Sequence, residues 1–212
     1  MGISERKERE KEQRKNDIID AAEKIFFKKG INNSTMDEVA KEAELSKGTL
    51  YLYFKSKEEI HFELKSRALN ILNKMFKESI SENKTGFENC MEIGKAYVNF
   101  VNKYSNYYKV IVHFETNDCS VCSFREKCES FFKEDNPLHF FIQVIDKGIK
   151  DSSIRNDIPA KVLAQTLWAQ MTGILQFIST KQKILEFTDV RTEEIVNSQF
   201  EIIKNGIRKK EG

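Results

Sequence analysis

Two helix-start signals stand eleven residues apart, at Thr35 and Ser46, and they constrain the fold more than any other feature of the 212 residues. Ser34 or Thr35 supplies an N-cap oxygen, with Asp37 or Glu38 three residues on to return the bond, and Met36, Val39, Ala40 and Ala43 then mark an apolar helix face. That helix ends near Glu44, and Ser46 caps the next one after only two or three residues. Two short helices joined so tightly must cross steeply, as in a helix-turn-helix. In that arrangement the second helix offers its N-terminal residues to a DNA major groove.

The flanks agree. Ile18, Ile19, Ala22, Ile25 and Phe26 recur at helical spacing and the run stops at Gly30, while Ser56 caps a long fourth helix marked by Ile60, Leu64, Ala68, Leu72 and Phe76. Only two prolines and nine glycines interrupt the whole chain, so helical blocks continue: 87–103, 104–115, 124–147 with Pro137 as a break or kink, 160–179 and 192–209. No strand-like alternation is sustained. The expectation is an all-α protein, with a charged N-terminal arm over 1–15, a helix-turn-helix head over 16–62 and a larger helical body over 63–212. Head and body would share the fourth helix.

Residues 35–59, with SKGTLYLYF and KSKEE following the AAEKIFFKKG helix end, closely resemble the N-terminal domain of the tetracycline-repressor (TetR) family. The resemblance implies that Thr35, Tyr51, Tyr53 and Lys57 clamp the DNA backbone while Lys47 and Thr49, with Leu52 beside them, face bases. The residues make sense physically as well. Gly48 lets the backbone approach DNA, and Ser46, Lys47 and Thr49 are donors at a helix N-terminus, where free N–H groups already favour phosphate. Leu50 and Phe54 share the core face, which leaves Tyr51 and Tyr53 off it; the competing reading makes both tyrosines core aromatics and Lys57 a solvated charge.

One short recognition helix reads few base pairs, so a homodimer on a palindromic operator is expected. The resemblance implies that the last two helices pair with their symmetry mates, through faces carrying Leu163, Leu167, Met171, Ile174, Leu175 and Ile178, then Ile195, Phe200, Ile203 and Ile207. It also implies a small-molecule effector in the aromatic-rich body. Tyr104, Tyr108, Trp168 and Gln176 each set a polar atom beside apolar surface and are the candidate pocket lining.

Cys119, Cys122 and Cys128 form C-x2-C-x5-C, and Cys90 is the fourth cysteine. With Cys90, His113 or an exogenous group completing the set, such spacing suits Zn or an iron–sulfur cluster; a redox switch and incidental packing stay open beside it. The corresponding alternative function is a metal- or cluster-carrying redox sensor that acts through the same head. No nucleophilic triad, glycine-rich phosphate loop or paired-carboxylate setting stands out, so an enzyme is not expected. No apolar run is long enough to span a bilayer, and the first fifteen residues lack a secretory h-region; the chain reads as cytoplasmic. Thirteen basic residues face thirteen acidic ones over 1–62, so DNA affinity must come from where charges sit.

Overall fold

The computed structural model describes residues 2–116 and 136–209. Among them run ten helices: α1 (Ile3–Lys29), α2 (Met36–Glu42), α3 (Lys47–Tyr53), α4 (Lys57–Ser79), α5 (Gly86–Lys103), α6 (Ser105–Thr116), α7 (Pro137–Lys150), α8 (Ala160–Thr180), α9 (Gln182–Thr188) and α10 (Thr192–Ile207). The described residues hold no strand beyond an isolated antiparallel bridge between Ile154 and Arg208. The all-α expectation is met. No helix among the described residues is long and apolar enough to cross a membrane.

By its contacts the chain forms two compact units. One takes in the chain up to Ala68 and returns for the segment beginning at Asn106; the other takes in Leu69–Ser105 and the described residues from Asn136 on. The first unit therefore borrows α6, which linear reading places in the body, and its share of α4 runs one and a half turns past residue 62.

The first unit is built around Ile18, Ala22, Phe26, Val39, Leu50, Phe54, Ile60 and Leu64, with Val110 of α6 in the same cluster. Leu50 and Ile60 are wholly buried, so truncating either to alanine costs about 2 to 5 kcal/mol. The N-terminal arm is helical rather than loose: α1 starts at Ile3, and its exposed first half carries one-turn pairs such as Arg6–Glu10 at 2.8 Å and Gln13–Asp17 at 2.9 Å. Lys15 reaches Glu63 of α4 at 2.9 Å. Gly30 ends α1 at φ +78° and ψ 154°, a conformation open essentially to glycine alone.

In the second unit α5 packs on α7, α7 on α8, and both α9 and α10 on α8. The start of α5 meets the end of α7 backbone to backbone: a Cβ on Gly86 would fall 2.1 Å from the Gly148 nitrogen. Asp151 accepts from the Gly86 N–H at 2.7 Å and closes that corner. Pro137 opens α7 with Asn136 as its N-cap, accepting from Leu138 N at 2.7 Å, instead of kinking a longer helix. The upstream part of that expected block, 124–135, lies outside the described residues. The short α9 was not anticipated, because only Leu185 of its apolar residues is buried and no helical stripe shows in the sequence.

Candidate nucleic-acid interface and body cavity

Each expected cap forms. Thr35 Oγ1 accepts from Glu38 N at 3.2 Å while Thr35 N donates to Glu38 Oε2 at 3.1 Å, a reciprocal pair at the start of α2. Lys29 at the end of α1 donates to the same carboxylate, and this bond, followed by the Thr35 N–H, holds Glu38 below the usual carboxylate range. Between α2 and α3 the chain turns through Glu44 at φ 55°. Ser46 Oγ then accepts from Thr49 N at 3.1 Å and lies 2.8 Å from Thr49 Oγ1.

These bonds fix which face of α3 looks outward. Leu50 points into the core, while Lys47, Gly48 and Leu52 are exposed, Leu52 to 77%. An added Cβ on Gly48 would meet nothing closer than Ser46 Oγ at 3.9 Å, so this face is open to an approaching duplex. Lys47 is not a loose cation: it pairs with Asp37 of α2 at 2.8 Å, and that bond raises its pKa. Tyr51 and Tyr53 are half-buried, with their rings packed against the head core. Lys55 follows α3, with Nζ donating to the Tyr51 carbonyl at 2.7 Å near the negative end of the helix.

Lys57 is engaged within the head. From the first turn of α4 its ammonium donates to the carbonyls of Ile31 at 3.0 Å, Ser34 at 3.3 Å and Asn32 at 3.5 Å. It thereby gathers the turn that presents Thr35. Sequence spacing could not reveal this, since the partners lie more than twenty residues away and are backbone atoms.

The body holds a nearly apolar cavity of about 30 Å³, room for about one water, walled by Phe76, Tyr97, Phe141, Trp168, Met171 and Phe200 among others. Tyr97 stacks on Trp168 with centroids 5.3 Å apart, Phe76 meets both edge-on, and the Tyr97 hydroxyl lies 3.0 Å from Thr172 Oγ1. Of the four lining candidates only Trp168 reaches this cavity. Tyr104 caps α5 with its ring against Phe100 and the Lys103 ammonium over it; Tyr108 is buried within the first unit; Gln176 is half-buried toward the far end of α8. Tyr97 went unnoticed in the sequence because an aromatic on a helical stripe looks the same whether it faces core or cavity.

Cys90 lies in the cavity wall, and burial pushes its thiol up to about 12, so the group is neutral where it stands. Cys119, Cys122 and Cys128 lie outside the described residues. Among the described residues no cluster of three His, Cys, Asp or Glu side chains is arranged to hold a metal ion.

Comparison with known proteins converges on the same head. Residues 18–64 match the model of bacterial regulatory proteins of the tetR family. The fatty acid metabolism regulator protein of Bacillus subtilis is 23% identical over 194 residues, 91% of this chain and 95% of the relative. Among solved structures, a Rhodococcus protein of unknown function superposes with a TM-score of 0.72 at 14% identity, covering 92% of this chain and 95% of the other. A TetR-family transcriptional regulator from Haemophilus influenzae superposes with a TM-score of 0.63 at 19% identity, covering 94% and 98%. Residues 18–64, with their capped helices and outward α3 face, thus carry the head of the tetR family of bacterial regulatory proteins, and the chain as a whole shares its fold with these solved structures.

Proposed function

We propose that the chain is a dimeric repressor that holds a palindromic operator through α3 and leaves it when an apolar small molecule enters the body. The carrying observation is the exposed face of α3. Lys47, Gly48, Thr49 and Leu52 project from a helix whose start is fixed by Ser46, with Leu52 suited to a thymine methyl and Thr49 to a base edge. Thr35, Tyr51 and Tyr53 flank that face as backbone contacts, and Lys57 serves them by holding the turn at 31–34.

The dimer reading rests on α8 and α10. The exposed positions Val162, Thr166, Ala169, Gly173 and Phe177 make an uncharged stripe along α8, and Ser198, Ile202 and Gly206 repeat the pattern on α10, with Ile202 64% exposed. Small residues around a few large apolar ones let two copies approach closely. The effector reading rests on the cavity. Its wall is almost wholly apolar and includes the adaptable Met91 and Met171, so it can open for an acyl-like body. The Bacillus relative named for fatty acid metabolism points to the same chemical class.

Selection of bound duplexes from a random-sequence pool tests the central statement. Enrichment of a two-fold symmetric site is expected, with loss of discrimination in Leu52→Ala and Thr49→Ala; a pool with no enriched sequence refutes it.

A further inference from the structure

The head carries a recess that its DNA-reading role does not use. Phe26, Phe27, Gly30 and Ile31 of α1 and the turn after it, His61 of α4, and Asn106, Lys109 and Val110 of α6 enclose an open cleft of about 290 Å³. All eight residues belong to the first unit. The volume corresponds to about ten waters, or to a ligand of about that many non-hydrogen atoms.

The lining is selective. Two phenylalanine rings, Ile31 and Val110 provide an apolar floor, and the His61 ring, 97% buried, stands 6.4 Å from Phe26 in a tilted contact. Polar atoms come from Asn106, which is half-buried, and from Lys109, which is exposed. Lys109 has no ion-pair partner among the described residues, and no carboxylate lines the cleft. A cationic ligand would be repelled there, and an anionic one gains a partner for its charge that a neutral one does not.

We infer that this cleft is a second ligand site, located in the DNA-binding head and shaped for a small aromatic monocarboxylate. Its ring stacks among Phe26, Phe27 and Val110, and its carboxylate meets the Lys109 ammonium with the Asn106 amide beside it. The cleft wall at Gly30 and Ile31 begins the turn whose carbonyls Lys57 gathers and whose end is the Thr35 cap. An occupant therefore bears directly on the element that positions α2, independently of anything entering the body cavity.

Benzoate is the probe and benzyl alcohol its uncharged counterpart, titrated into the full-length chain by calorimetry and by amide chemical shifts. Saturable binding with a dissociation constant of about 1 mM is expected, with shifts confined to 26–31, 61 and 106–110. Benzyl alcohol and the Lys109→Glu variant, altered at an exposed position, should each bind about tenfold more weakly, and Asn106→Trp, which fills the cleft, should not bind. Melting curves matching wild type establish that both variants are folded. Absence of saturable binding to wild type at about 20 mM overturns the proposal, as does binding that Lys109→Glu leaves unchanged or shifts that fall in the body. None of these outcomes touches operator binding, so the site and the repressor reading fail separately.

Discussion

Replacing Tyr107 by Phe removes one hydroxyl and nothing else, at a place where α1, α4 and α6 meet in one polar network. The Tyr107 hydroxyl donates to Glu23 Oε2 at 2.6 Å, and Arg67 Nη1 donates to Glu23 at 2.8 Å and to Asp20 at 2.7 Å. The ring itself stays in place in the variant, edge-on to Phe27 at 5.1 Å. A hydrogen bond to a charged acceptor contributes about 1.5 to 3 kcal/mol, and this one is half-buried, so Tyr107→Phe should lower stability by about 1 to 2 kcal/mol and the melting temperature by about 2 to 8 °C. Alkaline titration sharpens the test. Burial first, then the Glu23 carboxylate, pushes the Tyr107 phenol up to about 12. Below pH 10 the phenol is neutral in folded and unfolded chains alike and its contribution is complete. Between pH 10 and 12 the unfolded chain ionises first, so the contribution drains away as pH rises through that window. Two pH units correspond to about 2.7 kcal/mol at most, reduced to about 1 kcal/mol because solvent reaches much of the ring. Urea unfolding followed by circular dichroism at pH 8, 10 and 11.5 measures both effects. If Tyr107→Phe is as stable as wild type at pH 8, or loses the same stability as wild type from pH 10 to 11.5, the network does not hold α6 as argued.

Three further outcomes follow from the head and the cavity. Glu44 is exposed at φ 55° between α2 and α3, where a side chain is strained, so Glu44→Gly should raise stability by about 0.5 to 1 kcal/mol in thermal unfolding, net of the looser unfolded chain. Asp37 neutralises Lys47 on the surface proposed to face DNA, so Asp37→Asn should tighten binding to a duplex about two- to fivefold in fluorescence anisotropy at low salt, an advantage that fades as salt is added. Cys90, neutral and 5% exposed, should resist iodoacetamide in the native chain and react once urea unfolds it, as peptide mass mapping reads; rapid native labelling would contradict the packing of the cavity wall.

The helix-turn-helix was legible because its determinants are local. Thr35 with Glu38 and Ser46 with Thr49 are bonds spanning three residues, and the glycine at position 30 marks a backbone angle, so each leaves its mark in a short stretch of sequence. Tertiary assignment left no such mark. Tyr104 and Tyr108 sit one helical turn apart and looked equivalent, yet Tyr108 is 4% exposed in the first unit while Tyr104 caps a helix of the second. Only the return of α6 to the head decides between them, and that return depends on Val110 and Tyr107 finding partners more than forty residues away.

The near neutrality of the head gains a physical meaning from the same network. Five of its thirteen cations are engaged within the fold: Lys15 with Glu63, Lys24 with Glu42, Lys29 with Glu38, Lys47 with Asp37, and Lys57 with backbone carbonyls. Most of these bonds join one helix to another, so these charges help set the angles among α1, α2, α3 and α4. A phosphate that recruits Lys47 must first displace Asp37, and one that recruits Lys57 would loosen the turn before Thr35. Phosphate contacts by these five cations would cost the bonds they already make, which limits the counterions that a single head releases through them. On the proposed dimeric reading, tight binding comes from the fit of α3 to bases and from two heads engaging at once, so that reading expects discrimination between sequences to exceed what bulk charge alone would give.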